Sequence, residues 1–309
     1  MDLKQLQYFV VSVDSGSFKK TAELLYTSQP HVSKIIKSLE TELQTELLVR
    51  KARGVEVTEA GRKVYEHACR ILVESGQIYT SGDRRRSRTL RIAAHPSDRL
   101  EEMFQEFYIQ EKDLDAQYLE CDLEGIFQAL HRHTAEVGFT YVDQKQMTAF
   151  HQTLEYKRLE FTELGKTGPL LFAGPKNPFY RAAFVTGKDL RDLRYVQNED
   201  DQDTLSIQLI PERDDYRYYR RRGKVMQTNS RRLLVKLLRE TDLCHIGCGF
   251  SPDLSAHDTI RAIPIKGTEE SISFGYISRK RDGLSEDGKR FVKHIKKCLA
   301  ERQGPIGDL

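Results

Sequence analysis

The chain has 309 residues, 31% of them charged, no tryptophan, and a net charge of only +3, which excludes a nonspecific polycation. That length suits two or three domains, and no apolar run approaches the roughly 18 residues a membrane span needs. Charge is uneven: up to Arg91 there are sixteen Lys/Arg against eleven Asp/Glu, so the remainder is slightly acidic. A basic first part points to a polyanion partner for that part alone.

The start, "MDLKQLQYFVVSVDSG", lacks the basic and long apolar segments of a signal peptide. Five irregularly spaced cysteines suit a reducing compartment. A cytoplasmic protein is expected.

Leu3, Leu6, Phe9, Val10 and Val13 fall on one helical face. "DSGS" breaks the pattern, and Ser17 can cap a second helix carrying Phe18, Ala22, Leu24 and Leu25. After "YTSQP", Val32, Ile35, Ile36, Leu39 and Leu43 form the single stripe of a third helix. Ser28 or Gln29 can cap it, and Pro30 suits its first turn. Its other face holds Gln29, Ser33, Lys34 and Lys37, types that donate to phosphates or base edges. An amphipathic helix with a solvated face has the same pattern, so the neighbours decide.

Those neighbours are two short strands, Leu47–Val49 and Val55–Val57, around "RKARG", with Arg50, Lys51 and Arg53 charging a tip. Three helices and a basic wing make a winged helix-turn-helix. Thr58 then caps a helix from Glu59 to about Tyr79. Its Val64, Ala68, Ile71 and Ile78 form a seam for a second copy or for its own domain.

"SFKKTAELLYTSQPHVSKIIKSLETEL" followed by "RGVEVTEAG" closely resembles the N-terminal region of LysR-type transcriptional regulators. Shared positions include Ser17-Phe18, Ala22, Ser28-Gln29-Pro30, Val32-Ser33, Leu39-Glu40, Arg53-Gly54 and Thr58-Glu59-Ala60-Gly61. Departures are His31, Lys34 where arginine is commoner, Gln44 where glycine is usual, and Leu48 where phenylalanine usually sits. The resemblance implies DNA contact by Ser28, Gln29, Pro30, His31, Ser33, Lys34, Lys37, Arg50 and Arg53. It also implies a bacterial, double-stranded operator, a homodimer through helix 59–79 assembling to a homotetramer, and no cofactor. Contact with RNA polymerase is left open.

"SGDRRRSR", residues 81–88, is either a solvated hinge or a phosphate-contacting arm. Beyond it, strands ("LRIAAH", "AQYLECD", "EVGFTYV") alternate with helices, as in a parallel α/β sheet. A second unit from about Thr162 repeats this with "PLLFAGP", "LRYVQN", "KVMQT", a helix from Arg231 to Glu240, "LCHIGC" and "IRAIPIK". "ISFGYIS" and a helix from Ser285 to about Arg302 close the chain.

The order resembles the family's two-lobed, periplasmic-binding-protein-like α/β effector domain. The fold expected is therefore α + α/β: winged helix-turn-helix 1–58, linker helix and hinge 59–88, and effector domain 89–309. Lobe 1 would be 89–161 with 267–309, and lobe 2 would be 162–266. A small-molecule effector would lie between the lobes at strand C-terminal ends and helix N-termini. Ser97, the loop from Asn198 to Thr204, and Thr228 are the candidates, each equally suited to a cap or turn.

"CHIGC" invites a zinc or redox reading. Cys244 and Cys248 on one strand would lie about 13 Å apart, beyond disulfide reach, and the segment supplies too few ligands for structural zinc. Buried structural cysteines are expected, and no metal. "RYYRRRGK", residues 217–224, reads as a solvated helix end or subunit surface. Nucleophile elbow, Walker loop and dinucleotide turn are all missing, so an enzyme is not expected. The rival is a ligand-binding or enzymatic α/β protein with a helical appendage.

Overall fold

A computed structural model describes residues 1–51, 54–80, 88–191, 193–198, 225–251, 253–256, 259–267, 272–280 and 282–301. Arg53, residues 81–87, residues 199–204 and "RYYRRRGK" lie outside them. The chain divides into two compact units, one holding Met1–Arg86 and the other Ser87–Leu130 and Ala135–Leu309.

In the first unit α1 (Leu3–Ser15), α2 (Phe18–Leu24) and α3 (Gln29–Leu43) precede the antiparallel wing, β1 (Leu48–Lys51) and β2 (Gly54–Val57), and α4 (Glu59–Thr80). Asp2 and Ser17 cap α1 and α2 with their side chains, so the polar breaks between stripes become helix starts. Leu6, Phe9, Val32, Ile36, Leu39, Leu47 and Ala68 meet in one core. Gly54, at φ +141°, has no room for a side chain: a Cβ there would lie 2.2 Å from the Gly16 carbonyl oxygen, which accepts the Val55 N–H at 2.8 Å.

α3 ends at Gln44, which takes the left-handed conformation, φ 51°. Glycine adopts this conformation without a Cβ clash. Gln44→Gly is therefore expected to stabilise the first unit by about 1 kcal/mol, read as a higher midpoint in urea unfolding.

The seam expected along α4 splits. Val64 and Ala68 pack onto the core of the first unit, whereas Ile71 stays 40% exposed; the Ile78 side chain lies outside the described set. Among the described seam residues, Ile71 is open to a partner.

The second unit contains two mixed sheets. β3 (Arg88–Ala94), β4 (Leu114–Glu120), β5 (Val137–Asp143), β6 (Leu159–Thr167) and β12 (Ile272–Arg279) form the first, in the order β4-β3-β5-β12-β6. β7 (Pro169–Ala173), β8 (Tyr195–Asn198), β9 (Val225–Thr228), β10 (Cys244–Cys248) and β11 (Arg261–Pro264) form the second, in the order β11-β7-β10-β8-β9.

Neither sheet is purely parallel, contrary to the sequence expectation. β12 runs antiparallel to β5 and β6, and β7 to β10 and β11. Each is the strand on which the chain enters from the other lobe, so its direction is set by the crossing rather than by a helical crossover. Because β6 pairs with β12 up to Thr167, the chain crosses at Gly168, later than the 161/162 boundary.

Lobe 1 is covered on one face by α5 (Asp98–Gln110) and, as α9, the C-terminal helix Glu286–Glu301. On the other face lie α6 (Leu123–His131) and α7 (Met147–Tyr156), a helix not anticipated from the sequence. In lobe 2 the helix Arg231–Glu240, α8, covers one face through Leu234, Val235 and Leu238. Thr241 makes the turn after it: its hydroxyl donates to the Leu237 carbonyl at 2.6 Å and accepts the Leu243 N–H at 3.1 Å. Arg88, the last residue of the basic stretch, binds Glu111 at 2.7 Å and Asp287 within its own unit. Among the described residues no helix is long and apolar enough to cross a membrane.

Candidate functional site

The outward face of α3 is built by what its inward face must do. Val32, Ile36 and Leu39 are at most 2% exposed, and at 3.6 residues per turn this turns Gln29, Pro30, Lys34 and Lys37 outward. These four, with Ser28 and His31, are exposed. Ser28 is the N-cap residue, but its side chain makes no cap hydrogen bond. The His31 ring stands edge-on to Tyr8 of α1 at 5.9 Å, which fixes its direction.

Ser33 is half-buried and accepts from the Arg50 guanidinium at 2.5 Å. Arg50 also lies over the Phe18 ring at 5.4 Å. It therefore braces the wing against α3 and does not stand at the wing tip, as the sequence suggested. Glu40 makes a second brace: one carboxylate oxygen accepts the N–H groups of Leu47 and Leu48, at 2.8 and 3.0 Å. Nothing in the sequence marked that role.

The second unit has a cleft of about 350 Å³ between its lobes. Pro96, Glu120 and Asp122 face it from lobe 1, and Asn198, Asn229, Arg231 and His245 from lobe 2. Asn198, Asn229 and Arg231 come from β8, the turn after β9 and the first turn of α8, where strand C-terminal ends and a helix N-terminus gather. Ser97 is buried and caps α5, accepting the Leu100 N–H at 3.2 Å; its neighbour Pro96 faces the cleft. Thr228 is a turn residue, accepting the Ser230 N–H at 3.0 Å. Among the described ligand candidates, Asn198 lines the cleft, and Ser97 and Thr228 do not.

Across the cleft, Asp98 and Arg231 join the lobes as a two-pronged ion pair, one prong 2.6 Å long. Asp98 also accepts the Asp253 N–H at 3.2 Å. Beside the pair, Glu101 shares a hydrogen bond with Glu120, and its pKa is pushed up from 4.5 to about 7. Partial burial is the largest cause, followed by the bond and charge of Glu120 and the charge of Asp98, with Arg231 opposing.

A carboxyl raised on folding adds stability that is complete below the unfolded pKa and lost as pH rises through the folded one. For Glu101 that window runs from 4.5 to about 7. Glu101→Gln is therefore expected to lie closer to the parent at pH 4.5 and to melt progressively higher relative to it as pH approaches 7. Melting curves at stepped pH check this, and a constant gap would remove the shared proton.

The comparisons bear on both units. Residues 3–62 match the family described as "Bacterial regulatory helix-turn-helix protein, lysR family", and residues 83–300 match the LysR substrate binding domain. The chain belongs to the LysR family. The nitrogen assimilation regulatory protein nac of Klebsiella aerogenes is 46% identical over 77 residues, 25% of each chain. An uncharacterised HTH-type transcriptional regulator, YxjO, of Bacillus subtilis (strain 168) is 30% identical over 162 residues, 49% of this chain and 54% of that one. The chain thus spans from a quarter to about half the length of these curated relatives.

The structure of full-length CbnR complexed with its target DNA is 20% identical, covering 96% of this chain and 99% of that one, with a TM-score of 0.51. A full-length OxyR variant from Pseudomonas aeruginosa is 14% identical, covering 99% and 96%, with a TM-score of 0.54. These likenesses show that the LysR fold extends over both units.

The cysteines of this LysR chain form no disulfide. Cys244 and Cys248 lie on β10 and are buried. Burial, reinforced by the Asp242 charge, drives the Cys244 thiol well above its ordinary pKa, which suits packing rather than reactivity. His245, between them on the same strand, faces the cleft, its Nδ1 3.1 Å from the Val196 carbonyl.

Proposed function

We propose that this chain is a sequence-specific transcription regulator that binds double-stranded operator DNA and responds to a small molecule held between its two α/β lobes. The two-faced α3 carries the reading: three residues fix it on the domain core, and the face they turn outward is rich in donors and positive charge. Gln29, Pro30 and Ser33 would approach base edges in the major groove, and Lys34 and Lys37 the phosphates. Ser28, His31, Arg50 and Arg53 complete the proposed contact set.

The exposed Ile71 of α4 supports a homodimer through that helix, and hence a two-fold operator with half-sites about one helical turn apart or more. Assembly to a tetramer and contact with RNA polymerase follow the family resemblance alone. The proposed division is a DNA-binding region 1–58, a linker 59–88 and an effector domain from 89, acting in the cytoplasm without catalysis. Effector bound in the cleft would favour one arrangement of subunits through unequal affinity for two states.

A gel-shift titration of the chain against its own upstream DNA at several salt concentrations tests this. Affinity should fall steeply with salt, and specific sequence should win over competitor DNA. Salt-insensitive or absent binding with turnover of a small molecule would instead support the rival enzymatic reading.

A further inference from the structure

Away from both sites, α5 and α9 bring together a carboxylate, an imidazole and a thiol. His294 and Cys298 are four residues apart on α9, hence on one face of the helix. Glu106 comes from the facing side of α5. Phe107 of α5 packs on Phe291 and on the His294 ring, at 5.2 and 5.7 Å, so the two helices are held in register by apolar contact.

Cys298 Sγ lies 3.4 Å from His294 Nε2 and 3.7 Å from a Glu106 carboxylate oxygen, which is itself 3.8 Å from His294 Nε2. A tetrahedral zinc ion with bonds of about 2.3 Å to sulfur, about 2.0 Å to nitrogen and about 2.0 Å to oxygen spaces its donors about 3.3–3.6 Å apart. The three observed edges differ from that by about 0.5 Å or less, within reach of small side-chain rotations.

We propose that Glu106, His294 and Cys298 form a mononuclear site for a zinc-class divalent cation. Thiolate and imidazole together select a borderline-soft metal over magnesium or calcium. The thiolate and carboxylate cancel the ion's two charges, and the imidazole stays neutral. Binding forms the metal–sulfur, metal–nitrogen and metal–oxygen bonds and releases the Cys298 thiol proton to solvent. Burial is graded: Cys298 is 6% exposed and Glu106 is exposed. The carboxylate side thus gives the ion its entry path and leaves a fourth position for water. Sequence spacing hid the site because its third ligand comes from a distant helix.

Titrating metal-free full-length protein with Co²⁺ as probe tests this. One equivalent should develop a thiolate-to-cobalt charge-transfer band with tetrahedral visible bands, and Zn²⁺ should bleach both. Cys298→Ser and His294→Ala should lose the band. Glu106→Gln, changed at an exposed position that does not threaten folding, should weaken Co²⁺ binding at least tenfold. No band in the parent chain, a band unchanged by Cys298→Ser, or equal affinity in Glu106→Gln would overturn the site.

Discussion

Replacing Ser33 and Lys37 together by alanine is expected to weaken operator binding on the order of 100-fold while leaving the fold intact. Lys37 is exposed and Ser33 only half-buried, so neither change opens the core, and alanine is the better helix former at both positions. Losing a phosphate contact and a polar contact in each subunit of the proposed dimer removes about 3 kcal/mol, which is the factor quoted. Ser33 also accepts from Arg50, so its loss frees the brace between wing and helix as well. The salt dependence gives a second reading: one lysine per subunit should lower the slope of log affinity against log salt by about 2. Fluorescence anisotropy at four salt concentrations measures both. Unchanged affinity with an unchanged slope would mean that another surface meets the DNA.

The two faces of α3 were legible because local periodicity alone decides which residues a helix buries. The same holds for α8, whose expected span, Arg231–Glu240, matches the structure. What could not be read depends on contacts between distant segments. Alternating strands and helices do not reveal that β7 and β12 arrive from the opposite lobe, so the antiparallel strand in each sheet was missed. Arg50 sits beside the wing turn in sequence, yet Ser33 and Phe18 draw it onto α3. In α7 the apolar residues are sparse, with only Phe150 and Leu154 fully buried, too little to stand out before its sheet is known. The cleft is the clearest case: Asp98 and Arg231 look like ordinary first-turn residues of two helices until folding sets them face to face.

That pair gives the proposed response a physical element to act on. Asp98 is favoured at the N-terminal end of α5, where the helix dipole is positive, and Arg231 is disfavoured at the same end of α8. Their pairing across the cleft offsets the second effect and favours the approach of the lobes. A ligand that claims either partner would therefore change how firmly the lobes hold together, and ionisation of Glu101 above about pH 7 adds attraction between lobe 1 and Arg231.

Glu40→Ala is expected to destabilise the first unit by about 3 kcal/mol. Its carboxylate accepts both Leu47 and Leu48 N–H groups, and those residues are 0% and 5% exposed. Alanine would leave two shielded donors without an acceptor, and bonds to a charged group contribute about 1.5–3 kcal/mol each. The accepting oxygen is the same for both bonds, so Glu40→Gln can present its amide oxygen there and should lose only about 1 kcal/mol, the charge-assisted part. Amide hydrogen exchange separates this from a general weakening. Leu47 and Leu48 should lose protection in Glu40→Ala well beyond the amides of α1, and less so in Glu40→Gln. Equal loss in both variants would place the stabilisation in the carboxylate charge, which both lack, rather than in the two hydrogen bonds that glutamine can keep. Because these two amides start the wing, the same variant should also loosen Arg50 from Ser33 and weaken DNA binding without removing any proposed contact residue.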